Sequence, residues 1–363
     1  MSEVSVVLVG CGAPLKSMGW YHATQILHEG CKIDARLDFI VEPWYMSEVG
    51  SKSPGAEEFA EFKKELEATK GIKFYARVED VPPIEDRVKR LAIISARTSD
   101  NPSLFNSCLS IGCHAIFLEK PGAPSVSELE TMKSKANEMG VLVFMGFNKN
   151  VSKFVSKSRE YASAHVGTSV TFLHNNNYNK AELNECFERN SEGMLKNMAI
   201  HELALAVTFY GVTTSNIASV IADKEFSSCR TLVGPSSGKS FTDFDKLKFT
   251  IKTKDGNEVA IAADRCGGDD SVGIVCDGEG KELVRFTMPD DEDAAAIKNA
   301  EERISGAMPY FYVQSPDYQT LKQRVAKAVA TSEPAEGVAT IDTAIETLKI
   351  AEYLTPLLME QLK

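Results

Sequence analysis

The chain has 363 residues, more than one compact core usually organises, so two domains are expected. Apolar residues make up 43% and charged residues 25%, which excludes a disordered chain and provides for a sizeable core. A formal net charge of 40 − 51 = −11 argues against nucleic acid or an anionic membrane surface as partner, and the one short basic run, Arg87 to Arg90, leads straight into an apolar strand.

Residues 4–9 (Val-Ser-Val-Val-Leu-Val) form a continuous apolar run ended by Gly10, the pattern of a fully buried strand. A helix is expected over 19–28, a strand over 33–41, a charged helix over 57–70 and a short strand over 73–76. Further strands follow at 91–95, 114–118 and 141–145, with helices at 102–111 and 126–139. Apolar strands alternating with helices describe a parallel sheet covered on both faces, a doubly wound Rossmann domain over residues 1–147.

The rhythm then changes. A helix starts near Val151, a strand follows at 168–173, and a helix spans 194–210. Strands succeed one another at 217–224, 246–253, 258–264, 272–276 and 282–287. Asp255-Gly256 and Asp277-Gly278 mark tight hairpins. Residues 148–335 therefore read as an α+β domain for substrate binding and oligomerisation. Its largely antiparallel sheet leaves one face open for a partner subunit, giving a homodimer or homotetramer. A helical segment lies near 293–304, and a last helix spans about 341–359 within a terminal segment of residues 336–363.

Eight cysteines without C-x-x-C spacing read as reduced thiols, not as a disulfide framework or a metal site. No basic leader precedes the first strand, and no apolar run would cross a bilayer. The expected setting is the cytoplasm.

Four features carry chemistry. After the first strand, Gly10 and Gly12 allow a tight turn and a close approach to a pyrophosphate. The third glycine of the usual fingerprint is displaced: Gly19 comes seven positions after Gly12, implying four inserted residues. Lys16 and Ser17, within that insert, are candidate phosphate contacts. Glu42, at the end of the second strand, is placed to accept from the ribose hydroxyls, and its charge favours NAD over NADP. Ser95 and Arg97 end the fourth strand on the same edge. Glu119-Lys120-Pro121 follows the fifth strand, putting one ammonium where ligands of such sheets bind. Asn197 and His201, spaced i, i+4, share one face of the expected helix, and an imidazole can move protons near neutral pH. By contrast, Gly234-Pro235-Ser236-Ser237-Gly238-Lys239-Ser240 has three residues between its glycines where a phosphate loop needs four, and it reads as a plain loop. Each feature taken singly is also an ordinary turn or surface residue.

Together they resemble the glucose–fructose oxidoreductase/inositol dehydrogenase/MocA-like family. The segments are Val9-Gly10-Cys11-Gly12 with Gly19-Trp20-Tyr21-His22, Phe117-Leu118-Glu119-Lys120-Pro121, Met145-Gly146-Phe147-Asn148, and Gly193 to His201. The resemblance implies hydride transfer between NAD(P) and a secondary alcohol or carbonyl. Lys120 would lie between nicotinamide and substrate, His201 would face the reacting oxygen, and the terminal helix would pack back on the Rossmann domain. The motif's usual Asp is Asn197 here, and an amide cannot take a proton. Lys120 would hold the oxygen while His201 acts as base or acid, or the roles would be exchanged. Asn148, Lys149, Asn150 and the run His174 to Tyr178, with Asn176, would line a site for a sugar, cyclitol or related polar metabolite. Two rival readings stand beside this one: a non-catalytic dinucleotide or sugar sensor, and a redox-neutral enzyme that retains its cofactor.

Overall fold

In the computed structural model, which describes residues 3–85 and 87–363, the early apolar runs become strands β1 (Glu3–Val9), β2 (Arg36–Val41), β3 (Lys73–Tyr75), β4 (Val88–Ile94), β5 (Ala115–Leu118) and β6 (Leu142–Met145). Met1, Ser2 and Asp86 lie outside the described residues. Helices α1 (Met18–Leu27), α2 (Ala56–Lys70), α3 (Asn101–Ser110) and α4 (Val126–Met139) alternate with the strands. The ends of α4 show why the boundaries were legible: the Ser125 hydroxyl accepts the Glu128 N–H at the start, and Gly140 closes the helix at φ 68°. All strand pairs are parallel, in the order β3-β2-β1-β4-β5-β6. The direction of winding reverses between β1 and β4, which opens a crevice at their carboxyl ends.

The next segment holds α5 (Lys153–Ala164), β7 (Ser169–Asn175), α6 (Leu183–Arg189), α7 (Met194–Asn197), α8 (Ile200–Tyr210), β8 (Ile217–Ala222), β9 (Ser228–Val233), β10 (Ser240–Thr253), β11 (Glu258–Asp264), β12 (Ser271–Cys276) and β13 (Glu282–Met288). The sheet order is β13-β12-β7-β11-β10-β8, with β9 beside β10 and a single parallel pair, β7 with β11. Its two faces differ. The cross-strand row Ala222, Phe249, Ile261, Phe172, Gly273 is buried throughout. The adjacent row Ile221, Thr250, Ala260, Thr171, Ile274 contains no buried residue. Helix α5 covers the first face so closely that a Cβ on Gly273 would come within 2.0 Å of Ser158 Oγ. The expectation of a largely antiparallel sheet with one covered and one open face is borne out.

The chain ends with α9 (Asp293–Arg303), α10 (Pro309–Val313), α11 (Ser315–Thr331) and α12 (Ile341–Gln361). Two compact units result: Met1–Asn148 with Ala296–Ala344, and Lys149–Ala295 with Ile345–Lys363. This differs from the sequence reading, which left 296–335 in the second domain and had the terminal helix pack back on the Rossmann sheet. Helix α11 packs back, and so does the start of the terminal segment, where Met145 on β6 donates its N–H to the Ala339 carbonyl at 2.8 Å. The α11 stripe of Tyr318, Leu321, Lys322, Val325 and Val329 is buried, and the helix lies against β1 and β4. Gln25 on α1 donates to both oxygens of Ser315, and Tyr21 stacks on Phe311 at 4.6 Å between ring centres. From Ile345 onward α12 belongs to the second unit: Thr214 donates to Glu346, and Gln361 bonds both ways with the backbone of β8.

Candidate functional sites in the two units

Beyond five of the six strands of the parallel sheet, the first residue donates its N–H to the last carbonyl of the neighbouring strand. Glu42 donates to Tyr75, Gly10 to Val41, Ser95 to Val9, Glu119 to Ile94 and Gly146 to Leu118, all between 2.9 and 3.1 Å. The predicted residues Gly10, Glu42, Ser95 and Glu119 are thus fixed along one edge by backbone bonding alone. A cleft of about 860 Å³ opens there, lined by Gly10, Gly12, Ser17, Glu42, Ser95 and Arg97 among others.

Each glycine of the turn is sterically required. A Cβ on Gly10 would meet the Ala96 backbone at 2.9 Å, and one on Gly12 would meet Ser17 Oγ at 2.3 Å. One on Gly19 would come within 1.9 Å of the Gly10 carbonyl. Gly19 therefore takes the helix–strand packing role of the third glycine. Ser17 caps α1 with extended backbone, and its side chain bonds none of the first-turn amides. Lys16 is exposed and does not line the cleft.

Glu42 is buried, and its carboxylate accepts from Gly12 N at 2.6 Å, Trp44 N at 3.0 Å and Tyr45 N at 3.3 Å. The negative charge is therefore fixed at the glycine turn. The Arg97 guanidinium sits 5.5 Å from the centre of the Trp44 ring, within cation–π range. Glu119 and Lys120 do not line the cleft itself; both are half-buried at the end of β5.

In the second unit the expected helix 194–210 is broken. The amides of Met198 and Ala199 both donate to the Met194 carbonyl, closing α7, and Ala199 then accepts from Leu203 to begin α8. Asn197 and His201 therefore stand on separate helices, a correction of the i, i+4 expectation. Asn197 Nδ2 donates to the Glu192 carboxylate at 2.8 Å.

His201 is 8% exposed and lies beside the His174 ring, 6.4 Å between centres. Glu202, next to His201 in the chain, is fully buried, accepting from Lys149 at 2.6 Å and facing His174 Nδ1 at 3.5 Å. Burial pushes the Glu202 carboxyl up, but the charges of Lys149 and His174 more than offset that and hold it far below the usual range. His174 is pushed down by its own burial and by Lys149, with Glu202 opposing. Sequence reasoning passed over Glu202. An acid opening the apolar run Leu203 to Val207 was the available signal.

Lys149 and Asn150, expected to face a substrate, are instead spent on Glu202 and Thr208. Asn148, in the first unit, is buried with its amide on Asp317 at 3.4 Å. Asn176 is half-buried, its N–H held by the Asp264 carbonyl. The Gly234 loop is a turn between β9 and β10, as read, and the N–H groups of Ser236 and Ser237 bond the Glu188 carboxylate.

Residues 4–147 match the family model described as an oxidoreductase family with an NAD-binding Rossmann fold. No curated protein matches the chain in sequence. The fold is shared with solved structures across nearly the whole length. Apo scyllo-inositol dehydrogenase from Lactobacillus casei has a TM-score of 0.69 at 16% identity, covering 99% of this chain and 97% of that one. A probable dehydrogenase from Thermotoga maritima scores 0.67 at 17%, covering 99% and 98%. UDP-N-acetylglucosamine 3-dehydrogenase from Acidithiobacillus ferrooxidans scores 0.64 at 14%, covering both chains fully (100% each).

Proposed function

For a chain whose residues 4–147 belong to the glucose–fructose oxidoreductase/inositol dehydrogenase/MocA-like family, we infer an NAD-dependent dehydrogenase acting on a secondary hydroxyl of a sugar, cyclitol or similar polyol. The observation that carries this is the glycine turn, where three glycines leave no room for a Cβ and a buried carboxylate is fixed beside them.

The residues fit the cofactor. Gly10, Gly12 and the first turn of α1 would hold the pyrophosphate, with Ser17 as an added hydroxyl donor. Glu42 would accept from the ribose hydroxyls, since carboxylate oxygens take more than one donor each. Its charge would repel a 2′-phosphate, which favours NAD over NADP. Bound nicotinamide supplies a hydride acceptor or donor. Lys120 holds the substrate oxygen and stabilises developing alkoxide charge, and His201 takes or returns the hydroxyl proton. Asn197 cannot share that proton work, because an amide has no proton to exchange at working pH. The polyol class is supported by the amide-rich run His174 to Asn177. Among the structures similar in fold, one names UDP-N-acetylglucosamine and another holds NAD(H) and scyllo-inositol.

Eight free cysteines, five of them buried, support a reducing, cytoplasmic setting, and no described helix is long and apolar enough to cross a membrane. The open sheet face supports pairing of copies into a dimer or tetramer.

The test is a polyol panel with NAD, read at the NADH absorbance, on wild type and Lys120→Met. Turnover in the variant is expected to fall at least ~100-fold, the lower end of an acid–base or oxyanion contribution. NADH binding, followed by fluorescence, should persist. Unchanged turnover removes Lys120 from the mechanism, and a wild type that binds NADH without turning over any polyol supports the sensor reading.

A further inference from the structure

Behind Glu119, two buried groups take no part in the steps above. His22 on α1 is fully buried, and its Nε2 lies 2.9 Å from Glu119 Oε1. Its Nδ1 lies 2.9 Å from Nζ of Lys322 on α11, which is 2% exposed. An ammonium can only donate and a carboxylate can only accept, so a neutral imidazole bridges them in one way. Lys322 donates to Nδ1, and Nε2–H donates to Glu119. The Tyr318 ring walls this chain in, 5.4 Å from Nζ and edge-on to His22 at 5.5 Å. A Cβ on Gly146 would come within 2.7 Å of the Glu119 carboxylate, so a backbone without a side chain makes room for it. Glu119 directly precedes Lys120.

We propose that Lys322 is a positioning residue: through the His22 imidazole it fixes the Glu119 carboxylate, which immediately precedes Lys120 in the chain, and so sets the place and proton affinity of the Lys120 ammonium. A lone buried lysine would cost several kcal/mol and has no reason to interrupt the apolar stripe of α11. The charged chain gives it one. The titratable groups facing Lys322 are His22 on α1, Glu119 after β5, Cys31 in the turn after α1, and Tyr318 on its own helix. Burial lowers Lys322 to about 7 against the opposing pull of Glu119 and Cys31. Burial and then Lys322 lower His22 to about 4, which agrees with the neutral ring the bridge requires.

The inference rests on the role given to Lys120 under the proposed function, and its test has an arm independent of turnover. In protein labelled with [15N]histidine, wild-type His22 should remain the neutral Nε2–H tautomer down to about pH 5. In Lys322→Met, which keeps length but not charge, His22 should titrate about one unit higher. In the polyol assay the same variant should lose about tenfold in kcat, within the up to 10²-fold cost of a misplaced group, with KM for NAD changed less than about twofold. The pH limb that vanishes in Lys120→Met should move to higher pH in Lys322→Met, because Glu119 is left uncompensated. In Glu119→Gln it should move to lower pH, an opposite shift that general loss of stability would not produce. An Nδ1–H or charged His22 in wild type at neutral pH overturns the proposal, as does a limb unmoved in both variants. If wild type turns over no polyol, the proposed function fails separately, and the same two limb shifts are read from the pH dependence of NADH fluorescence. Shifts in opposite directions there sustain the positioning role, and their absence removes it.

Discussion

Along the carboxyl edge of the parallel sheet, the site is made by main chain. Glycines without Cβ atoms and N–H groups one residue past each strand hold Gly10, Glu42, Ser95 and Glu119 in line. In the second unit the polar cluster is made by side chains from distant points of the chain: Lys149 before α5, His174 at the end of β7, His201 and Glu202 on α8. Main-chain sites tolerate most substitutions that leave the turn intact and fail at a glycine. Side-chain clusters fail when one charge loses its partner, because the remaining one stays buried.

The largest expected effect follows from that second rule. Glu202→Gln removes the carboxylate that faces the buried Lys149 ammonium at 2.6 Å and should cost about 3–5 kcal/mol of stability, measured by urea unfolding at neutral pH. The pH dependence sharpens the comparison. Glu202 is held below its unfolded value of 4.5, so its contribution is present above that value and is lost as pH falls below it. Wild type should therefore lose stability more steeply than Glu202→Gln as pH falls from about 4.5 to about 3. Parallel curves would show that the carboxylate contributes nothing specific. Gly19→Ala comes next. The new methyl meets a backbone carbonyl at 1.9 Å, which cannot rotate away. We expect a loss of about 1–3 kcal/mol together with loss of NADH binding, despite the ~1 kcal/mol that alanine gains in helix propensity. A variant that binds NADH with wild-type affinity would break the contrast between the two units.

The same contrast explains what was legible. The doubly wound parallel sheet follows from continuous apolar runs punctuated by Gly10, Gly12 and Gly19, where local chemistry decides the outcome; the order of its strands was not read from the sequence. The open-faced sheet followed from the Asp255-Gly256 and Asp277-Gly278 hairpins. Helix α6 and strand β9 were passed over. Helix α11 was passed over too, although Tyr318, Leu321, Val325 and Val329 keep helical spacing, because Lys322 interrupts the stripe and no cap marks its start. That lysine makes sense only beside His22, 300 residues away in sequence. Lys149 and Asn150 were misread for a like reason. Polar residues next to a strand end suggest solvent or ligand until Glu202 and Thr208 are seen to take them up.

The smallest of these effects tests whether the main-chain site still needs its one charged side chain. Both oxygens of Glu42 accept from backbone N–H groups, Gly12 on one and Trp44 and Tyr45 on the other. In Glu42→Gln the new NH₂ must face a donor whichever way the amide turns, so one charge-assisted bond is lost and one N–H is left facing another. About 1.5 kcal/mol of NAD affinity should go with it, roughly tenfold in Kd by isothermal titration. NADP affinity should fall less or rise, because the repulsion of a 2′-phosphate is removed with the charge. An equal loss for both dinucleotides would mean that Glu42 serves only to shape the glycine turn. A loss confined to NAD would mean that the carboxylate reads the ribose as well, and that the edge built by main chain still delegates its choice of cofactor to a single side chain.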